Sequence, residues 1–369
     1  MKSKHWVHNS ASLPSPALIF YEDAIVANTL AVIAKTGHPG RLRPHVKTHK
    51  TVEICSLQIA LGVTKFKCAT LAEAQMTAQA GAAEVLVAYP LVGPNIELFL
   101  GLIERFPQTK FQAVFDDATM LQALAAGARR RNLAVEVLID IDAGMHRTGV
   151  LPEDADALYA LAAHTPGVVP GGLHGYDGQN HQSDLAERTA AADKCYRDIQ
   201  ALRTRLGYQG LSVPRVVLGG TPPYAFYAGK DDVEVSPGTC FLHDWGYASK
   251  FPDLRFEAAA LVLTRVISVN PGQNTFTLDL GHKAIAADPP GARGRLYGLP
   301  EDFAQPLFQS EEHWVWQWGV GHLPSIGEEF YVQPTHICPT VNLHARAHVV
   351  DATGTWVKDW DVVGRNREI

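Results

Sequence analysis

Five basic or imidazole side chains crowd one lysine in the stretch "RLRPHVKTHKT": Arg41, Arg43, His45, His49 and Lys50 surround Lys47. A solvated basic face would look like this, and so would an amine held where an anionic cofactor arrives. Two short motifs far along the chain bear on the choice. "GGT" (Gly219 to Thr221) and "SPGT" (Ser236 to Thr239) pair glycine with a hydroxyl. Glycine lets backbone N–H groups approach an anion, the hydroxyl adds a donor, and a following helix would add a positive dipole end. Singly, such motifs are mostly turns. A lysine amine facing two phosphate cradles would suit a cofactor that is both an aldehyde and a phosphate ester, and pyridoxal phosphate is one.

The elements that must position these residues follow from periodicity. Through the first two thirds of the chain, apolar runs alternate with Ala/Leu-rich stretches of helical spacing such as "TLAEAQMTAQAGA". Strands alternating with helices imply parallel β/α units. After an entry strand, "ALIFY", eight runs remain: "LRPHV", "KFKCA", "EVLVAY", "FQAVF", "EVLIDI", "GGLHGY", "RVVLGG" and "VEVSP". Eight closes a (β/α)8 TIM-type barrel, and the span 21–245 suits the usual ~250 residues. A doubly wound open sheet is the competing α/β fold. In a barrel, chemistry sits where strands end. Lys47 follows the first run, Arg147 lies between Gly144 and Gly149 after the fifth, and Tyr176 ends the sixth. The glycine motifs end the seventh and eighth. From about residue 246 the helical period vanishes, and "NPGQ" turns one strand into another. Residues 246–369, with 1–20, are expected to form a second, mostly antiparallel β domain.

Composition narrows the function class. The 369 residues are 46% apolar and 19% charged, ordinary for a protein with a real core, and the net charge of −6 gives no sign of a nucleic-acid surface. No segment approaches the roughly 18 apolar residues of a membrane span, and no apolar run follows the basic start, which argues against a secretory signal. Five cysteines without paired spacing argue for a reducing, cytoplasmic setting. Cys55, Cys68, Cys195 and Cys240 read as small buried hydrophobes. "ARRRN" (128–132) reads as a solvated helix end.

"RPHVKTHKT" resembles the signature of the D-threonine aldolase and D-serine dehydratase family, a branch of the alanine-racemase-like, fold-type III pyridoxal-phosphate enzymes. The resemblance makes Lys47 the covalent anchor of pyridoxal 5'-phosphate. "DAGMHRTGV" resembles the segment whose arginine lies beside the cofactor's phenolic oxygen, which nominates Arg147. "GLHGYDG" resembles the strand whose ring lies against the pyridine, which nominates Tyr176. "GGTPP" and "EVSPGT" resemble the phosphate loops, nominating Gly220, Thr221, Gly238 and Thr239. "LDLGHKAIAADPP" and "HICPTVNLH" resemble segments absent from ordinary alanine racemases. A homodimer of barrel-plus-β-domain chains is implied.

His336 and Cys338 invite a metal. On an extended segment, residues two apart share a face, so imidazole and thiol could meet one divalent ion. Nitrogen and thiolate suit zinc; a carboxylate in place of the thiol would favour manganese or magnesium. Asp288 is a candidate ligand, an acid–base group, or a turn residue before Pro289 and Pro290. His45, His49 and His181 are open between structural and functional roles. The resemblance implies D-3-hydroxy amino acids as substrates, cleaved to glycine and an aldehyde with Lys47 and His336 as catalytic residues. Cys338 pulls towards the alternative, a dehydratase releasing a 2-oxo acid and ammonia. Against a racemase, the β domain shows no clear counterpart of the second catalytic tyrosine, and a non-catalytic pyridoxal-phosphate carrier would resemble the barrel portion alone.

Overall fold

The computed structural model describes residues 5–300, 303–319 and 321–369. The chain folds as two compact units: residues 30–47, 52–238 and 363–369 form one, and residues up to 29, 48–51 and 239–362 the other. This division differs from the sequence reading at its edges. Residues 21–29, 48–51 and 239–245 go with the β unit, and the last seven residues go with the barrel unit.

Strand β1 (Ala17–Tyr21) belongs to the β unit. The barrel unit holds seven parallel strands in sequence order: β2 (Lys65–Cys68), β3 (Glu84–Val87), β4 (Lys110–Phe115), β5 (Val135–Ile141), β6 (Val168–Gly175), β7 (Val216–Leu218) and β8 (Glu234–Val235). Helices fill most of the connections, as a parallel sheet requires. The first expected run, "LRPHV", is not a regular strand because Pro44 has no N–H to give a ladder. It still spans the two sheet edges. Arg43 N donates to Val235 O, His45 N to Pro237 O, and Lys67 N to Pro44 O. Single parallel bridges at Leu42–Val235 and His45–Lys67 complete the closure.

The barrel interior is layered. Near the strand starts, the fully buried Arg43 pairs with Glu84 (2.9 Å) and Glu234 (2.7 Å) and donates to Gln112. Arg215 joins Glu84 and Glu136 in the same network. Each buried charge thereby has a partner, which is what makes such a layer tolerable. Leu86, Val114, Leu138 and Val217 pack above it as an apolar layer. Two residues further along β5 and β6 on the same face come Asp140 and His174.

In the β unit, β9 (Ala260–Asn270) is the spine. It pairs antiparallel with β1, β10 (Thr275–Leu278) and β14 (Glu329–Pro334). The short β11 (Gly294–Leu296) extends from β14, while β12 (Gln305–Gln309) and β13 (Trp314–Gln317) continue beyond β10. On the other flank, β1 runs parallel to β15 (Arg346–Val350), which pairs with β16 (Trp356–Asp361). Trp314, Trp316, Phe276 and Val332 anchor its core.

Candidate active site

Lys47 lies in a 3-10 turn, Val46–Thr48, directly after the closing segment. His45 fixes the entry to that turn, its Nδ1 accepting from Lys47 N at 3.4 Å. His49 is fully buried, accepts from Thr51 N through Nδ1, and is pushed down to about 3, first by burial and then by the Lys50 charge. His45 therefore shapes the turn that carries the lysine, and His49 the segment after it. His181 is exposed and sits against the Gly178 carbonyl.

Three cations converge on one ring. Lys47 Nζ lies 5.5 Å from the Tyr176 centroid, Lys67 Nζ 5.8 Å, and the Arg147 guanidinium 5.1 Å. None of the three heads makes an ion pair or hydrogen bond among the described residues. Tyr176 is seated between glycines: a Cβ on Gly178 would come within 2.5 Å of its ring and one on Gly220 within 3.0 Å. Arg147 is placed by a tightly held loop. Asp142 Oδ1 accepts from Gly144 N and His146 N, and Asp116 Oδ2 accepts from Gly149 N. Gly149 has φ +97°, and a Cβ there would meet Asp142 N at 2.6 Å, so only glycine closes this loop.

Beneath the ring, Asp140 accepts from Thr148 Oγ1 and bonds His174 Nδ1 at 2.7 Å. Burial pulls Asp140 up, but these two partners outweigh it and hold its carboxyl below the ordinary range. His174 is pushed down by burial, and its Nε2 has no partner. Asp177 Oδ2 accepts from Asn180 and Tyr227, while its Oδ1 has none. Lys67, Asp140 and His174 escaped the sequence reading.

The two glycine motifs meet in part. Gly238 N donates to Thr221 Oγ1 at 3.2 Å, so the two loops are tied, and that amide is already engaged. The expected helix dipoles are not built: a five-residue helix, Tyr224–Ala228, follows the first motif and a 3-10 turn, Thr239–Phe241, the second. Thr239 Oγ1 lies 3.8 Å from Cys338 Sγ within the β unit.

The His336–Cys338 pair is not on an extended segment. His336 is the N-cap of a helix, Ile337–Leu343, and Cys338 lies in its first turn. Pro339 is admitted there because first-turn N–H groups have no intrahelical partner. The two side chains still meet. Burial opposes a charge on His336, but hydrogen bonds to Cys338 and to Asp288 (2.5 Å from Nδ1) raise it to about 9. Cys338 Sγ also donates to Thr48 Oγ1 at 3.3 Å. Asp244 caps the neighbouring helix, accepts from Ile337 N, and is pushed up to about 6 by burial. Among the described residues no group of three His, Cys, Asp or Glu side chains is arranged to hold a metal ion.

Residues 21–243 match the alanine racemase N-terminal domain. The chain belongs to that family. Residues 259–350 match the family described as "Putative serine dehydratase domain". The chain is 29% identical to a D-threonine aldolase of Arthrobacter sp over 96% of its own length and 93% of the relative's. It is 28% identical to the D-threo-3-hydroxyaspartate dehydratase of Delftia sp., covering 95% and 97%. A dehydratase of the same name has been solved as a cysteine-to-alanine mutant in a metal-free form. The solved D-threonine aldolase of Filomicrobium marinum superposes with a TM-score of 0.89 at 28% identity, covering 96% of each chain. The family implies pyridoxal phosphate, and the barrel residues fit it: cations without ion pairs among the described residues stand around one ring, as an anionic group needs. Among the described residues no helix is long and apolar enough to cross a membrane.

Proposed function

We propose that this protein is a pyridoxal-phosphate-dependent lyase that cleaves D-3-hydroxy amino acids, D-threonine among them, to glycine and an aldehyde. One observation carries the reading: Lys47 and Arg147 face the same Tyr176 ring at the C-terminal ends of the parallel strands. When bound, the coenzyme supplies an electron sink for charge at the substrate's α-carbon.

The chain's own residues do the rest. Lys47 anchors the coenzyme covalently from a half-buried position in its turn. Arg147 offers paired N–H donors to an anionic oxygen. Tyr176 forms a wall for a flat ring. Gly220, Thr221, Gly238 and Thr239 are proposed for the phosphate, with the Thr221 hydroxyl turning from Gly238 N to the anion. His336 and Cys338 are proposed to hold a divalent metal, zinc by the donor set, with manganese as the alternative. Asp288 holds His336 Nδ1, and the side chain also bonds Cys338, so a metal would have to replace the proton shared between His336 and Cys338. His336 is proposed as a catalytic residue through that metal. A homodimer and a cytoplasmic setting belong to the same proposal; the five free cysteines support the latter.

Cys338 favours a second reading, β-elimination to a 2-oxo acid and ammonia. Incubation with D-threonine and D-serine, with and without chelator, separates them. Acetaldehyde with glycine supports cleavage; 2-oxo acid with ammonia supports elimination; neither product overturns the lyase.

A further inference from the structure

Lys67 does work that the family reading does not assign. It stands on β2 with its side chain inside the barrel and only 1% exposed. Burying an ammonium is costly by several kcal/mol unless a carboxylate meets it. The barrel's lower layer obeys that rule: Arg43, Arg215 and Lys65 each reach a glutamate. Lys67 does not. Its head makes no ion pair or hydrogen bond among the described residues, although Asp140 and Asp177 act on it at longer range. A methionine would fill the position without that cost, and the apolar layer below is built of such residues. A buried charge kept without a partner in a cleft is the signature of a functional group.

A second observation points to a ligand at this floor. His174 Nε2 and Asp177 Oδ1 are both buried and both without partners. The charged and titratable groups around Lys67 come from several elements. Lys47 and Arg43 come from the closing segment, Asp140 from β5, His174 from β6, Asp177 from the loop after it, and Arg147 faces the same ring.

We propose that Lys67 is a further positioning residue of the coenzyme pocket: a floor cation that sets the proton affinity of the nitrogen joining Lys47 to the coenzyme. This rests on the coenzyme reading above. A fixed positive charge disfavours a second one nearby, so Lys67 lowers that nitrogen's pKa and favours its uncharged form. Burial, and then the Lys47 charge, push Lys67 itself down to about 7, so near neutrality its own proton tunes the effect.

The test is the pH titration of the visible absorbance band of the holoprotein. Lys67→Met raises the midpoint by roughly one pH unit, about tenfold in proton affinity. Lys67→Arg, which keeps its charge at every pH, titrates below the natural protein. The thermal midpoint of apo Lys67→Met is unchanged or higher, because a costly buried charge has gone. Superimposable titrations, or an arginine variant midpoint above the natural one, overturn the inference, as does a methionine variant that melts earlier with its band unmoved. Should the methionine variant not fold, the arginine arm decides alone. A natural protein that takes up no coenzyme overturns both this inference and the reading beneath it.

Discussion

The barrel half and the β half of the candidate machinery are built on opposite principles. In the barrel unit, Lys47, Lys67 and Arg147 stand around Tyr176 with no ion pair or hydrogen bond to any of their heads among the described residues, and His174 Nε2 and Asp177 Oδ1 are left orphaned below. In the β unit the candidate groups satisfy one another: His336 has Asp288 and Cys338, and Cys338 has Thr48. The first arrangement is costly alone and is relieved by a ligand; the second is content alone. Functional residues on a rigid scaffold can thus be recognised by what they lack as readily as by what they touch.

The sharpest way to break that contrast is at Lys47. Lys47→Ala removes the proposed covalent anchor and should lower lyase turnover at least about a thousandfold, read as product formed per mole of folded protein; a loss under tenfold would place the chemistry elsewhere. On the β side, Cys338→Ala or chelation should lower turnover by about a hundredfold, and Asp288→Asn should weaken metal retention about tenfold. Metal content and turnover measured together check this, and full activity after chelation would take the metal out of the reaction.

Smaller effects probe how each half is held. Gly149→Ala forces a Cβ against Asp142 N at positive φ and should cost about 1–3 kcal/mol, with a lower thermal midpoint and a weakened hold on the coenzyme as Arg147 shifts. His49 gives a pH test. The unfolded chain binds its proton near 6.5 and the folded chain only near 3, so its stability contribution is complete above 6.5. It is lost at up to about 1.4 kcal/mol per pH unit on the way down to 3. His49→Gln should flatten that acid limb in denaturant titrations; an unchanged limb would deny that His49 is buried uncharged.

Much of the barrel was legible because alternating strand and helix periods survive in the sequence, and the glycines around Arg147 and Tyr176 mark the strand ends where side chains emerge. The closing segment was legible as an element but not as a broken one, since the cost of Pro44 to a ladder depends on its neighbours. "HICPTVNLH" reads as extended because proline ends most helices; its place in a first turn, where it costs nothing, is visible only in space. Lys67 was missed for a different reason. "KFKCA" alternates like a strand with a solvated face, yet in a closed barrel that face points inward. Two lysines, 65 and 67, at that spacing in a parallel strand were the available signal.

The most direct test of the central claim is reductive trapping. The coenzyme-loaded protein is treated with borohydride, digested, and mapped by mass spectrometry. The account predicts one modified residue, Lys47, in the peptide containing "PHVKTHK". A label on Lys67 or any other lysine with Lys47 unmodified, or no label at all, would contradict it.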